Sequence, residues 1–120
     1  MILVDDHVLA AHIGGSRRVG PEGGALATTC SWWWRLALAT GRRGAPAHAV
    51  DALPESVLVL ERRDLLPAMS RVARAFRLSL LAAEALVAAE ALRADIIVGQ
   101  DTPRLRQACR VRGVTYLVRT

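Results

Sequence analysis

Four acids stand at positions suited to chemistry. Asp5 and Asp6 directly follow the apolar run 1–4, and Asp101 follows the apolar run 96–98 after Gly99 and Gln100. Glu84 is surrounded in sequence by Leu80, Leu81, Ala83, Ala85, Val87 and Ala88, all apolar. A carboxylate on a helix that is apolar nearly all round must be neutralised, paired or liganded, because an unpaired buried charge is costly. A hard divalent cation is one neutraliser, and oxygen ligands drawn from distant segments suit magnesium or manganese. Water activated on such a cation attacks a phosphodiester. Asp5, Glu84 and Asp101 are therefore the catalytic and metal-binding candidates, with Asp6 assisting. Each also has a plain structural role open to it: Glu84 paired with an arginine in the core, Asp101 capping the helix after it, Asp5 and Asp6 closing a strand-end turn.

The elements that would position these acids can be read from apolar runs and breakers. Residues 1–4 form a buried strand that delivers Asp5 and Asp6 at its carboxyl end, followed by a short helix over 8–13 that Gly14 and Gly15 stop. Residues 16–24 are a Gly/Arg/Pro loop, and 25–30 a second strand. Ser31 is the expected N-cap of a helix through Trp32, Trp33, Trp34 and Arg35 to about Thr40, ended by Gly41. Residues 41–54 are irregular, with room for one helical turn. Residues 57–60 form an apolar strand, and Pro67 is expected to open a helix to about Phe76, with Arg71, Arg74 and Arg77 on its solvated side. Ser79 caps a long Ala/Leu helix to Arg93. A strand over 96–98, a helix over 102–112 ended by Gly113, and a strand over 114–118 complete the chain. Apolar strands alternating with helices indicate a mainly parallel five-stranded sheet covered on both faces, an α/β/α sandwich formed by one domain over 1–120. In such sheets ligands bind beyond the carboxyl ends of the strands, where Asp5, Asp6 and Asp101 fall.

Composition narrows the function classes. The chain has 120 residues, 52% hydrophobic and 22% charged, as a folded domain does. Sixteen basic residues against eleven acidic ones give a net charge of +5, and all sixteen are Arg. No run approaches the roughly 20 apolar residues of a bilayer span, so no membrane association is expected. An N-terminus that reaches Asp5 immediately carries no signal-peptide pattern, and Cys30 and Cys109 are isolated; both suit a reducing cytoplasm. His7, His12 and His48 lack metal-ligand spacing, and the glycines at 20, 23 and 24 do not make a phosphate-cradling GxGxxG.

Two further groups face outward in this reading. Successive helical residues point about 100° apart, so Trp32, Trp33 and Trp34 do not share one core, and a dimer or partner contact is the expected use of the triplet. Arg104, Arg106, Arg110 and Arg112 on the last helix either hold phosphates or form a solvated face.

With these residues in place, the chain resembles the PIN-domain ribonucleases, a family that includes the toxin nucleases of VapBC-type toxin–antitoxin modules. MILVDDHVLAAHI looks like the family's opening strand followed by Asp-x-Ser/Asn and a short apolar helix. LLAAEALVAAEALRADIIVGQDTPRLRQACRVRGVTYLV is similar to its acid-Ala-Leu helix, its strand ending near Thr-x-Asp, the following helix and a final Gly-Val strand. The resemblance covers about half of the chain. It implies a PIN-like α/β/α sandwich, magnesium or manganese held by carboxylates, RNA cleavage, a homodimer and an antitoxin protein as partner. Asp5 matches the first acid and Asp101 the acid after the fourth strand. Glu84 stands where the family has Asp, His7 where it has Ser or Asn, and Gly99 where it has Thr. The family's Glu on the helix after strand two corresponds to Arg35, and Glu61 or Asp6 are the acids that would compensate. Arg35, Arg104 and Arg106 are the expected contacts to the RNA backbone. Two functions follow: a metal-dependent endoribonuclease of toxin type, or a catalytically degenerate PIN fold that binds RNA or protein without cutting. A small Rossmann-like regulatory module would share the βα alternation but lacks a nucleotide fingerprint.

Overall fold

Five short apolar runs pair into one sheet in the computed structural model of the protein, which describes residues 1–15, 25–39 and 47–119. They are β1 (Ile2–Val4), β2 (Leu26–Thr28), β3 (Val57–Val59), β4 (Asp95–Val98) and β5 (Tyr116–Val118), in the order β3-β2-β1-β4-β5. Every pairing is parallel, as the helix between each pair of strands requires. The helices among the described residues are α1 (Asp6–Ile13), α2 (Cys30–Leu38), α3 (Ala47–Asp51), α4 (Arg62–Phe76), α5 (Leu80–Leu92) and α6 (Pro103–Arg112). The expected α/β class and five-stranded parallel sheet are present.

Register sorts the strand side chains into two cores. Leu3 lies opposite Ala27 and Ile96, and these three with Val98 pack beneath α4, α5 and α6. Val4 lies opposite Ile97, and with Leu26 and Val57 they pack against Val8 and Leu9 of α1, Leu36 of α2 and Val50 of α3. In β1, β2 and β4 alternate residues thus enter opposite layers, which is why these strands read as continuous apolar runs, whereas Leu58 of β3 and Leu117 and Val118 of β5 are exposed. The chain builds outward from β1 through β2 to β3, then crosses back to place β4 on the other side of β1. The switch in direction between β1 and β4 opens the crevice where sheets of this kind bind ligands.

Several element boundaries differ from the sequence expectation; α1 begins at Asp6 rather than residue 8, and β2 and β5 are shorter than expected. Thr29, not Ser31, caps α2: its Oγ1 accepts from the Trp32 amide at 3.1 Å, leaving Ser31 inside the first turn. α4 begins at Arg62, five residues before Pro67, which lies within the helix. Pro67 cannot donate to the carbonyl of Arg63, but burial of Leu65, Met69 and Val72 on one stripe outweighs the lost bond. Asp101 does not cap α6; Thr102 occupies that position without a side-chain hydrogen bond. Ser79 does cap α5, accepting from Ala82, and left-handed Arg93 and Gly113 end α5 and α6. The helical turn expected in 41–54 is α3; the loop 16–24 and residues 40–46 lie outside the described residues.

Candidate functional site

Asp5 and Asp6 follow the carboxyl end of β1, where Asp5 meets the segment after β4 and Asp6 meets α2; Glu84, on α5, meets the first turn of α2. Asp5 is buried immediately after β1. Its Oδ1 accepts from the Val8 amide at 3.0 Å, capping α1, and its Oδ2 accepts from the amides of Gly99 and Gln100 at 3.0 and 3.2 Å. One side chain thereby ties the first turn of α1 to the segment after β4. Burial pushes the Asp5 carboxyl up from its ordinary 3.8; the three amides act against this, and the charge of Asp6 adds to it. The tie also explains Gly99. A Cβ there would stand 2.5 Å from the Cβ of His7, so a family-like Thr does not fit. Asp5, Arg35, Gln100 and Thr102 line a cavity of about 80 Å³ at this switch point.

Asp6 is fully buried, and Arg35 of α2 grips it with both forks: Nε donates to Oδ2 at 3.0 Å and Nη2 to Oδ1 at 2.8 Å. The hydrogen bond to Asp6 raises the Arg35 guanidinium above its ordinary value despite partial burial. Arg35 stands one β-strand away in sequence from the acid it holds, where the family resemblance expects a glutamate. The guanidinium brings a positive charge into two-pronged contact with the fully buried Asp6 carboxylate.

Glu84, in the second turn of the largely buried α5, has the same solution. Arg62, the first residue of α4, donates from Nε to Oε2 at 2.7 Å and from Nη2 to Oε1 at 3.3 Å. The Ser31 amide donates to Oε1 at 2.8 Å, and Arg62 Nη2 also donates to Ser31 Oγ at 2.6 Å. Burial works to raise the Glu84 carboxyl, but Arg62 and the Ser31 donors outweigh it and hold the group below its ordinary 4.5. The displaced cap matters here: Thr29 frees Ser31 to serve Glu84, and the early start of α4 brings Arg62 within reach. Sequence reasoning allowed an arginine partner for Glu84 but did not find Arg62 or Ser31. The available signal was the Arg62-Arg63 pair two residues after the apolar run 57–60.

Asp101 points elsewhere. Its Oδ2 accepts from Arg106 Nη1 at 2.6 Å and its Oδ1 from the Tyr116 hydroxyl at 3.1 Å, and Tyr116 Oη in turn accepts from the Thr102 amide. Burial, with the Asp101 charge adding, pushes the Tyr116 phenol up to about 12. Arg104 donates to the Arg77 carbonyl and Arg112 makes a two-pronged pair with Glu90. Arg104 and Arg106, expected to meet RNA, therefore have acceptors on the protein itself.

The tryptophan triplet splits three ways. Trp32 is buried in the core beneath α4–α6, and Trp33 packs on the opposite core while its Nε1 donates to the Val50 carbonyl at 2.6 Å. Trp34 is 65% exposed. Of the three residues expected to meet a partner, Trp34 is the one presented to solvent.

As a donor set for magnesium or manganese these acids do not fit as they stand. Asp6, Glu84 and Asp101 each carry a guanidinium, the oxygens of Asp5 are occupied by amides, and no group of three or more His, Cys, Asp or Glu among the described residues could hold a metal ion. No helix among the described residues is long and apolar enough to cross a membrane. No protein-family model matches the chain, and no curated protein matches it.

Proposed function

We propose that the chain is a PIN-like domain in which arginines stand in for the catalytic cation, and that it acts by binding a partner protein without cutting RNA. The observation that carries this reading is the two-pronged Arg35–Asp6 pair, at 2.8 and 3.0 Å over a fully buried carboxylate. A guanidinium and a divalent cation both neutralise clustered acids. They differ in chemistry: the cation holds and acidifies a water, whereas an arginine, protonated at any working pH, does neither. Replacing an acid by Arg35 thus keeps the fold's charge balance and removes the step that makes a nucleophile. A protein partner is favoured over RNA by the exposed Trp34, an apolar anchor on α2.

Metal-dependent endoribonuclease activity, as in a toxin, is the second reading. Asp5 favours it, since among the described residues it makes no ion pair and it borders the cavity at the switch point. RNA incubated with the full chain and manganese, beside Asp5→Asn, separates the two. The binding reading expects the RNA to stay intact with both proteins. Cleavage that chelator and Asp5→Asn both abolish would establish the nuclease.

A further inference from the structure

We infer that the groove between α2 and the first turn of α5 receives an acidic amphipathic segment of a partner protein. The inference rests on the binding reading above and names the partner's chemistry. The groove encloses about 740 Å³ and is walled by Trp34, Arg35 and Leu38 of α2, Arg62 of α4, and Leu80 and Leu81 of α5. Trp34 and Leu38 are four residues apart and form one stripe of α2; they are 65% and 62% exposed, and Leu80 on the facing wall is 55% exposed. A contiguous apolar patch of this kind on a small basic protein marks an interaction surface. Apolar anchors at helical spacing match such a cleft.

The charge on the walls selects the partner. Arg35 and Arg62 are 37% and 35% exposed, and each uses Nε and Nη2 on its buried carboxylate. The Nη1 of each makes no hydrogen bond or ion pair among the described residues, so both guanidiniums bring N–H donors to the groove. Asp6 and Glu84, which balance them, are buried and turned inward. Three of the protein's eleven acids, Asp5 among them, are hidden in this way while the surface retains its arginines, so long-range steering also favours an acidic partner. A second copy seated through this groove about a two-fold axis would bring like guanidiniums together. RNA could meet the two guanidiniums through phosphate, but Trp34, Leu38, Leu80 and Leu81 make most of the exposed lining apolar, which an amphipathic protein segment covers better.

A random helical peptide library selected against the full-length chain tests this. The expected winners carry Leu, Ile or Phe at helical spacing flanked by Glu or Asp. Their affinity should fall at least tenfold on Trp34→Ala, and at least tenfold when the peptide's own Glu residues become Gln, a change that leaves the protein's ion pairs intact. Iodide quenching of tryptophan fluorescence should decrease when the peptide binds. Neutral or basic winners, peptides that bind Trp34→Ala equally well, or no enrichment at all would overturn the inference. So would a concentration-dependent dimer lost in Trp34→Ala, or protection of Trp34 by a single-stranded RNA oligonucleotide. If these results come with intact RNA in the manganese assay, only the groove assignment fails; manganese-dependent cleavage overturns the binding reading itself.

Discussion

At the scale of single residues, the acids of this protein are held in two different ways, and pH tells them apart. Glu84 is depressed below 4.5 by Arg62 and Ser31, so its contribution to stability is full above that pH and is lost as pH falls through the folded value. Asp5 is raised above 3.8 by burial, so the folded state binds its proton more tightly and its contribution declines as pH rises through the folded value. Urea unfolding at pH 7 and pH 4 should therefore show the wild-type advantage over Glu84→Gln shrinking on acidification and the advantage over Asp5→Asn growing. Equal trends would refute this assignment of partners. Removing Arg35 takes two N–H donors and their positive charge away from the buried Asp6 carboxylate. Arg35→Met should cost about 3 kcal/mol, the low end for breaking a buried pair because the arginine is itself part-exposed. Asp6→Leu added to it should recover much of that loss, measured by the same unfolding. Gly99→Ala should destabilise by roughly 1–3 kcal/mol, since its methyl would meet the Cβ of His7. The sequence made Asp5, Asp6 and Glu84 conspicuous, because acids at strand ends and on apolar helices are anomalous wherever the chain goes. Their partners were not legible: Arg62 and Ser31 lie 22 and 53 residues from Glu84, and only the tertiary fold joins them.

At the scale of elements, strands and long helices were readable, while the boundaries nearest the site were not. Val57–Val59 and Leu80–Leu92 announce themselves by unbroken apolar character and strong helix formers. The run Thr28-Thr29-Cys30-Ser31 offers several hydroxyls able to cap α2, and local preference does not choose among them; the end of β2 at Thr28 does. Thr29→Ala should cost about 1 kcal/mol as a lost cap, and Ser31→Ala should act instead through Glu84 and Arg62. Pro67 misleads for a physical reason. Proline is favoured in a first turn, but here packing of Leu65, Met69 and Val72 against α5 extends the helix back through it. Pro67→Ala restores a donor toward the Arg63 carbonyl and should stabilise by about 1 kcal/mol in denaturant melts, part of the gain being offset by a more flexible unfolded chain.

At the scale of the whole molecule, the sheet order places β1 and β4 at the centre, and the crevice between them is where the proposal turns on one question of charge. Alternation of apolar runs and helices was enough to foresee a parallel five-stranded sheet with both faces covered. It was not enough to foresee that α2 and α4 would each send an arginine onto a buried acid, because that depends on how layers stack. The central claim is that guanidiniums, not a divalent cation, neutralise this pocket. Thermal unfolding of the full-length chain with and without millimolar manganese tests it most directly, since any ion bound only by the folded state raises the midpoint by mass action, about 2.7 kcal/mol at a hundredfold excess over its Kd. An unchanged midpoint is expected; a saturable rise that disappears in Asp5→Asn would show instead that a divalent cation binds there.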